Sequence, residues 1–248
     1  MKIVGIIPAR YDSVRFPGKP LADVAGKPLI QRVYEQASQV ALFSDVIVAT
    51  DDARIEAAVR QFGGQARMTA RTHQTGTDRL AEVARTLDAD IVVNVQGDEP
   101  LIQPDMIEQA IRPLFEDSDV SIGTLKHKIM TPDELFNPNV VKVITTPQGR
   151  AIYFSRSPIP FIKGKEMRRD GFAAFDFYRH VGLYAYRRDF LLNFTTLPQT
   201  PLELAEGLEQ LRALEHGCAI HVVETRHESL GVDTPEDLQN VLTRLRSS

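Results

Sequence analysis

Three short apolar runs, at residues 3–7, 46–50 and 91–95, constrain the fold more than any other feature of this sequence. They are rich in valine and isoleucine and apolar almost throughout, without the alternation of apolar and polar residues found in half-exposed strands. A strand that is apolar on both sides is covered on both faces, as in a parallel sheet. The runs therefore predict three buried parallel strands.

Amphipathic stretches separate these runs and predict helices at residues 28–40, 52–62 and 77–87. Pro28 suits the first turn of its helix. Alternation of strands and helices over about the first 110 residues predicts right-handed βαβ units. The predicted fold class is α/β, with a Rossmann-like, doubly wound and mostly parallel sheet.

The pattern changes at about Asp119. Strand-like runs follow at 120–125, 140–144, 151–154 and 181–186, with Gln148 and Gly149 as a hairpin turn between the second and third. The polar, glycine-punctuated segment 161–178 is predicted to be a mobile loop. Two later helices are predicted, one at 202–216 with a break near Gly207 and one at 234–245. We predict one domain, residues 1–248, in which 119–187 forms a smaller mixed-strand insertion.

Composition excludes several classes of protein. The chain has 248 residues, 43% of them hydrophobic, and a net charge of −4, which disfavours nucleic-acid binding. Pro8 and Arg10 interrupt the first apolar run too early for a signal peptide, and no window suits a membrane helix. The single cysteine, Cys218, is predicted to be a small buried hydrophobe, which suits a reducing cytoplasm.

The segment after the first predicted strand, residues 8–21, is the first candidate site, and we call it the basic loop. It carries Arg10, Arg15 and Lys19 against one acid, Asp12. It follows the carboxyl end of a strand, where α/β sheets bind ligands, and it is longer than most strand-to-helix connections. Guanidinium and ammonium groups together with backbone N–H groups suit a polyphosphate ligand.

Composition alone gives equal weight to a solvated basic surface loop. Two other phosphate motifs are absent from the sequence. There is no G-x-x-x-x-G-K-[ST], which excludes a P-loop NTPase, and no G-x-G-x-x-G after the first strand, which disfavours a dinucleotide oxidoreductase.

Two aspartates are candidate ligands for Mg²⁺. Asp98, followed by Glu99, comes just after the predicted strand at 91–95, and Asp233 follows a Gly-Val pair far along the chain. Mg²⁺ accepts one or two carboxylates together with substrate phosphates and water. Local pattern alone favours helix capping for Asp233 and gives Asp98 even odds of being a turn residue.

The basic loop resembles the opening motif of sugar nucleotidyltransferases, in particular the family of 3-deoxy-manno-octulosonate cytidylyltransferases, or CMP-Kdo synthetases. The resembling residues are Pro8-Ala-Arg10, Ser13, Arg15 and Pro17-Gly-Lys-Pro-Leu21. Six further blocks match that family in order: Thr75-Gly-Thr-Asp-Arg-Leu-Ala-Glu82, Asn94-Val-Gln-Gly-Asp-Glu-Pro100, Tyr153-Phe-Ser-Arg-Ser-Pro-Ile-Pro160, Arg179-His-Val-Gly-Leu-Tyr184, Leu208-Glu-Gln-Leu-Arg212 and Gly231-Val-Asp-Thr-Pro-Glu-Asp-Leu238. The match covers nearly the whole chain and is weakest at 161–178.

The resemblance implies the fold of nucleotide-diphospho-sugar transferases and the activation of Kdo (3-deoxy-D-manno-octulosonate) by CTP for lipopolysaccharide biosynthesis. It implies Mg²⁺ on Asp98 and Asp233, with Glu99 as a less certain neighbour. It also implies a cytoplasmic homodimer that binds no nucleic acid or membrane, with 119–187 as a dimerisation region. The implied nucleotide-binding residues are Pro8, Ala9, Arg10, Ser13, Arg15, Lys19, His73, Gly76, Thr77, Arg79 and Gln96.

The implied sugar-binding residues are Arg79, Arg156, His180, Tyr184, Glu209 and Gln210. Arginine pairs with a sugar carboxylate, while Glu and Gln bind diols. Local pattern alone would make His180 and Tyr184 partly buried strand residues, and Glu209 and Gln210 the polar face of an exposed helix. The implied catalytic residues are Arg10, Lys19 and Asp98.

Other functions stay open at this stage. A cytidylyltransferase for a related acid sugar, such as an amino variant of Kdo or a nonulosonate, is the nearest rival. A non-catalytic nucleotide sensor on the same fold is a rival from another class, and the presence of both Asp98 and Asp233 weighs against it.

Overall fold

The structure is a computed structural model that describes residues 1–12 and 15–247, with the side chains of residues 169 and 247 outside that description. The described strands are β1 Ile3–Ala9, β2 Asp23–Val24, β3 Lys27–Pro28, β4 Asp45–Thr50, β5 Gln65–Met68, β6 Ile91–Asn94, β7 Ile122–Lys128, β8 Lys142–Thr145, β9 Ala151–Ser155, β10 Tyr178–Arg187 and β11 Ile220–Glu224. The helices are α1 Leu29–Ala37, α2 Ala53–Gln61, α3 Gly76–Arg85, α4 Pro104–Glu116, α5 Pro132–Phe136, α6 Arg188–Phe194, α7 Pro201–Glu206, α8 Gln210–Glu215 and α9 Pro235–Ser247.

The chain forms two compact units. The first consists of Met1–Glu108, Leu183–Thr195 and Ser229–Ser248, and the second of Gln109–Gly182 and Thr196–Glu228. Helix α4 and strand β10 each begin in one unit and end in the other.

The first unit is built on a parallel sheet. Strand β1 pairs in parallel with β6 on one side and β4 on the other, and β4 pairs in parallel with β5. The second half of β10 adds an antiparallel neighbour to β6, in register from Tyr184 opposite Asn94 to Arg187 opposite Ile91. The three apolar runs are β1, β4 and β6, and their side chains are almost completely buried. The predicted α/β class with a mostly parallel sheet is therefore confirmed.

The second unit is smaller and mixed. Strands β8 and β9 form an antiparallel hairpin, whose turn contains Gly149 with a positive φ of 83°, as predicted. Strand β11 pairs in parallel with β7, from Ile220 opposite Ile122 to Glu224 opposite Lys126. This pairing brings residues 196–228 into the unit, so its boundaries differ from the predicted insertion at 119–187.

Other predictions need correction. Segment 161–178 contains two short helical turns, Met167–Gly171 and Phe172–Ala174. Ile162, Met167 and Phe172 pack against a buried cluster of Ile129, Leu135 and Phe177, so the segment is a packed one and not the open loop that its polar sequence indicates. Strand β5, helix α4 and strand β11 were not predicted. Cys218 is half-buried and not fully buried.

The helix break near Gly207 is confirmed, because Gly207 ends α7 in the left-handed conformation at φ 61°. Among the described residues, no helix has the length and apolar character that crossing a bilayer requires.

Candidate active site

The basic loop folds back on itself at the carboxyl end of β1. Gly18 adopts a positive φ of 73°, and its N–H donates to the carbonyl of Tyr11 at 2.8 Å. A short helical turn, Lys19–Leu21, follows directly. Because glycine adopts this left-handed conformation without strain, Gly18 allows the chain to return Lys19 to the edge of the sheet. Ser13, predicted to bind nucleotide, lies outside the described residues.

Lys19 lies between the two predicted metal ligands. Its Nζ is 2.7 Å from Oδ2 of Asp98 and 3.4 Å from Oδ1 of Asp233. The side chain of Lys19 is largely buried, whereas those of Asp98 and Asp233 are partly exposed. Arg15 adds a second cation, with Nη2 3.1 Å from Oδ1 of Asp233. The structure therefore brings together two acids and two bases that the sequence analysis selected from three distant segments.

Close backbone contacts hold Asp98 at this position. A Cβ atom at Gly97 would come within 2.6 Å of the carbonyl oxygen of Pro8, so only glycine allows this segment to lie against the end of β1. The N–H of Val232 donates to the carbonyl of Asp98 at 2.8 Å. This bond brings the segment that carries Asp233 to the end of β6, and both carboxylates reach Lys19 as a result.

Asp233 is not the residue that caps α9. The hydroxyl of Thr234 accepts the N–H of Asp237 at 3.2 Å, and the carboxylate of Asp237 accepts the N–H groups of Asp233 and Thr234. Thr234 and Asp237 thus form a reciprocal cap at the start of the helix. The hydrogen bonds lower the pKa of Asp237, although burial acts in the opposite direction. The carboxylate of Asp233 faces Lys19 and Arg15, and not the helix.

A cavity of about 320 Å³ opens beside Asp98. Seven predicted site residues line it: Pro8, Ala9, Arg10, Lys19, Gly76, Gln96 and Asp98. Asp12, Pro20 and Gly97 complete the lining and were not predicted as site residues. Gly97 could have been identified from its place between Gln96 and Asp98, and Asp12 as the single acid in the basic loop.

Gly76 and Thr77 begin helix α3 at the edge of this cavity. Thr75 caps the helix in a reciprocal capping box with Asp78. His73 lies one turn before it, and its Nε2 contacts Oε2 of Glu82. Glu82 also accepts the N–H of Ala70 at 3.0 Å, and this bond and the contact with His73 lower the pKa of Glu82. His73 is thereby tied to α3, and it is not among the residues lining the cavity.

Arg79 differs from the prediction that it contacts nucleotide or sugar. Its side chain is fully buried, its Nη2 pairs with Oδ2 of Asp51 at 2.7 Å, and its Nη1 donates to the hydroxyl of Thr69. Arg79 thus links α3 to the ends of β4 and β5. A fully buried guanidinium has no surface to offer a ligand, so we interpret Arg79 as a structural residue of the first unit.

The predicted sugar-binding residues are divided between the units. Tyr184 belongs to the first unit, where its ring stacks on that of Tyr186 with centroids 5.7 Å apart. Arg156, His180, Glu209 and Gln210 belong to the second. Glu209 is half-buried and Gln210 is buried, which differs from the exposed helix face that local pattern favours.

His180 is held by its neighbours in the second unit. Its Nε2 lies 2.9 Å from the hydroxyl of Thr124, and its ring meets the edge of Phe154 with centroids 5.0 Å apart. Burial lowers the pKa of His180 to about 3, so the ring is neutral at physiological pH. A neutral imidazole can donate or accept a hydrogen bond to a hydroxyl group.

The guanidinium of Arg156 is already bound to backbone carbonyls. Nε donates to the carbonyl of Glu206 at 2.7 Å, Nη1 to that of Pro138 at 3.0 Å and Nη2 to that of Gly207 at 3.4 Å. These bonds use the planar donor fork that would otherwise pair with a carboxylate. The arrangement weighs against the predicted contact of Arg156 with a sugar.

Comparisons with known proteins find similar sequences that cover nearly the whole chain. Residues 4–225 match a protein family described as cytidylyltransferase. The 3-deoxy-manno-octulosonate cytidylyltransferase of Geobacter sulfurreducens is 60% identical over an alignment of 250 positions, which covers 99% of this chain and 100% of that protein. The enzyme of the same name from Geotalea uraniireducens is also 60% identical, with the same coverage.

Solved structures extend the likeness to three dimensions. A CMP:2-keto-3-deoxy-manno-octonic acid synthetase complexed with CTP superposes with a TM-score of 0.93 at 46% identity, covering 100% of this chain and 99% of that one. A 4-diphosphocytidyl-2C-methyl-D-erythritol synthase from Anaerococcus prevotii superposes with a TM-score of 0.62 at 15% identity, covering 99% and 98%. The second likeness concerns the fold alone.

Proposed function

The chain belongs to the cytidylyltransferase family, among the 3-deoxy-manno-octulosonate cytidylyltransferases, and on this basis we propose that it joins CTP to Kdo to give CMP-Kdo and pyrophosphate. The observation that carries the proposal is the 60% identity over essentially the full length of relatives with that name. The likeness to a synthetase solved with CTP supports the same nucleotide. CMP-Kdo of this origin would serve lipopolysaccharide synthesis.

The basic loop is the proposed triphosphate site. Arg10 and Lys19 line the cavity beside Asp98, and Arg15 lies at Asp233. These cations suit the charge of the β- and γ-phosphates. Gly76, at the start of the ten-residue helix α3, places backbone N–H groups at the cavity edge, where a helix N-terminus favours anions. Gln96 supplies amide groups for the nucleotide.

Asp98 and Asp233 fit Mg²⁺. The donor set consists of two carboxylates that already share one cationic group, the Lys19 ammonium. Mg²⁺ is satisfied by one or two carboxylates when substrate phosphates and water complete its shell. When bound, Mg²⁺ would neutralise phosphate charge and lower the pKa of a hydroxyl bound to it.

The proposed reaction is a substitution at the α-phosphorus of CTP. The anomeric hydroxyl oxygen of Kdo forms a bond to this phosphorus, the bond to the β-phosphate oxygen breaks, and the hydroxyl proton is released to solvent. Such chemistry depends mostly on positioning and on neutralising charge. Arg10 and Lys19 would stabilise the departing pyrophosphate. Asp12 also lines the cavity, and its side chain would have to point away from the pyrophosphate because like charges repel.

The acceptor has one carboxylate and several hydroxyl groups. We propose that His180, Tyr184, Glu209 and Gln210 bind it, since all four carry groups that hydrogen-bond hydroxyls. We further propose that the protein works in the cytoplasm as a homodimer, with residues 119–187 as the dimerisation region.

A panel of pyrophosphate-release assays tests the proposal. It crosses the four NTPs with Kdo, 8-amino-Kdo and a sialic acid, each with and without Mg²⁺. We expect release only from CTP with Kdo and Mg²⁺. Release with 8-amino-Kdo in preference to Kdo would assign the enzyme to the amino sugar, and release with no combination would overturn the enzymatic function.

A further inference from the structure

Lys142 is a fully buried lysine in strand β8 of the second unit. Its Nζ donates to three backbone carbonyls, those of Asn137 at 3.0 Å, Val140 at 2.6 Å and Arg156 at 2.5 Å. All three ammonium protons therefore have acceptors, as a buried cation requires. Lys142 ties the end of the β8–β9 hairpin to the segment that precedes β8.

Glu206, the last residue of α7, completes the connection. Its carboxylate accepts the hydroxyl of Ser155 at 2.6 Å, the N–H of Arg156 at 2.9 Å and the hydroxyl of Tyr153 at 3.4 Å. Burial raises the pKa of Glu206, but these hydrogen bonds outweigh it, so the pKa lies below its ordinary value. The carboxylate is charged at neutral pH and fixes the end of β9.

Arg156 also joins the end of β9 to the end of α7, and in these bonds Arg156 is the donor. Its side chain donates to the carbonyls of Glu206 and Gly207, while its own carbonyl accepts from Lys142. We call Lys142, Arg156 and Glu206 the brace. Each member binds backbone atoms of another segment, so none can move without breaking bonds in the others.

The brace adjoins the proposed sugar-binding residues. Gly207, whose carbonyl Arg156 binds, is the left-handed corner between α7 and α8, and Glu209 and Gln210 follow it at the start of α8. On the other side, the N–H of His180 donates to the carbonyl of Val141, next to Lys142. Three of the four proposed acceptor ligands are therefore connected to the brace. Glu209 and Gln210 follow Gly207 within three residues, and His180 is bonded to Val141, the neighbour of Lys142.

We infer that Lys142, Arg156 and Glu206 are positioning residues, which fix Glu209, Gln210 and His180 for the acceptor sugar without contacting it. The inference rests on the proposed function, because it needs Kdo as the acceptor. It gives Arg156 a role that its three carbonyl bonds allow, in place of the predicted pairing with the sugar carboxylate. It also assigns roles to Lys142 and Glu206, which the sequence did not single out.

The substitution Glu206→Gln tests this inference. The amide keeps an oxygen for the N–H of Arg156, but it turns its NH2 group towards the hydroxyls of Ser155 and Tyr153, which must then accept instead of donate. The charge that strengthens these bonds is also lost, so the end of β9 and the corner at Gly207 are held less firmly. Misplacement of binding groups by about 1 Å can reduce rates by about a hundredfold. We expect KM for Kdo to rise by about tenfold or more, while KM for CTP stays within about twofold of wild type.

Ser155→Ala is a milder variant, because it leaves the carboxylate of Glu206 in place and removes one bond to it, together with the bond that the Ser155 hydroxyl accepts from the N–H of Ser157 at 3.0 Å. It should shift KM for Kdo in the same direction by a smaller factor. Val222→Ala is the matched control. It removes apolar contacts from a buried position on β11, in the same unit but outside the brace. It should lower the melting temperature and leave both KM values unchanged, which separates positioning from a general loss of stability.

The outcomes are distinguishable. If wild type forms CMP-Kdo and both Glu206→Gln and Ser155→Ala keep a normal KM for Kdo, the brace does not position the acceptor site. Equal increases in KM for Kdo and CTP, or an increase in KM for Kdo in Val222→Ala as well, would also overturn the inference. A wild-type protein that forms no CMP-Kdo would overturn the proposed function itself.

Discussion

Asp98 and Asp233 converge on a single ammonium group, the Nζ of Lys19, at 2.7 Å and 3.4 Å. Two carboxylates this close repel one another unless a cation lies between them. The backbone bond from Val232 to Asp98 holds the two segments together independently of that cation. The fold thus holds the two segments together, and the proposed metal site requires Mg²⁺ to take the place of the Lys19 ammonium between the carboxylates.

Asp98→Asn tests the proposed metal site directly. The amide is a much weaker ligand for Mg²⁺ than the carboxylate, so we expect kcat to fall by at least about a hundredfold. The melting temperature should change little, because Asp98 is partly exposed. Steady-state pyrophosphate release and thermal melting measure the two effects, and a kcat near that of wild type would refute the metal assignment.

Asp233→Asn separates the site from the helix cap. Because Thr234 and Asp237 cap α9, the substitution should reduce the free energy of unfolding by less than about 1 kcal/mol. Activity should nevertheless fall strongly, as for Asp98→Asn. Thr234→Ala is the control, with the opposite outcome of lower stability and retained kcat. A large loss of stability with normal activity in Asp233→Asn would restore the capping interpretation.

Gly97→Ala should disturb the site through the backbone. The added Cβ would lie 2.6 Å from the carbonyl oxygen of Pro8, so the segment carrying Asp98 must move away from β1. We expect a loss of about 1–3 kcal/mol in stability together with a marked fall in kcat. Gly231→Ala is the matched control, because Gly231 also precedes a site aspartate but has open space around it. Similar effects of the two substitutions would contradict this explanation.

Arg79→Met tests the structural role of the buried guanidinium. The methionine fills part of the space but leaves Asp51 and Thr69 without their partner, and Asp51 is partly solvated, so we expect a loss of about 2–4 kcal/mol in unfolding free energy. Urea denaturation measures it. The kcat of the fraction that remains folded should stay within about tenfold of wild type. A larger fall in kcat in a stable variant would support the predicted contact with the substrate.

His180 should make the fold sensitive to mild acid. The folded protein keeps the imidazole neutral down to about pH 3, whereas the unfolded chain takes up a proton below about 6.5. The unfolded state therefore binds more protons between these values, and stability falls as the pH drops through this window. By pH 5 the loss would reach up to about 2 kcal/mol.

His180→Gln removes this titration. Urea midpoints measured at about pH 7.5 and about pH 5 should differ less in the variant than in wild type. An equal acid-induced loss of stability in both proteins would show that other groups are responsible, of which His221 is one candidate because burial lowers its pKa as well.

The sequence predicted the centre of the first unit because β1, β4 and β6 are continuous apolar runs. It did not predict β5, whose residues are mostly exposed or half-exposed and form no apolar run. Nor did it predict that β11 joins the second unit, since strand pairing with β7 depends on contacts between segments about a hundred residues apart. Periodicity reports the burial of a segment but not the identity of its neighbour.

The residues of the candidate site also differ in how far the sequence could predict their positions. Arg10, Lys19 and Asp98 were predictable because they follow the carboxyl ends of two neighbouring parallel strands. The position of Asp233 beside Lys19 was not predictable from local pattern, because an aspartate that caps a helix and one that binds a ligand have the same sequence context. The burial of Arg79 and the carbonyl bonds of Arg156 depend on partners in other segments, Asp51 and Glu206 among them.

The bond from Val232 to Asp98 also bears on how the protein is made. During synthesis, the strands that carry the basic loop and Asp98 leave the ribosome long before residue 233. All of them belong to one compact unit, and domains generally fold as units. If Asp233 holds the metal as proposed, catalytic competence would arrive only after residue 233 is translated, and products truncated before it would be inert.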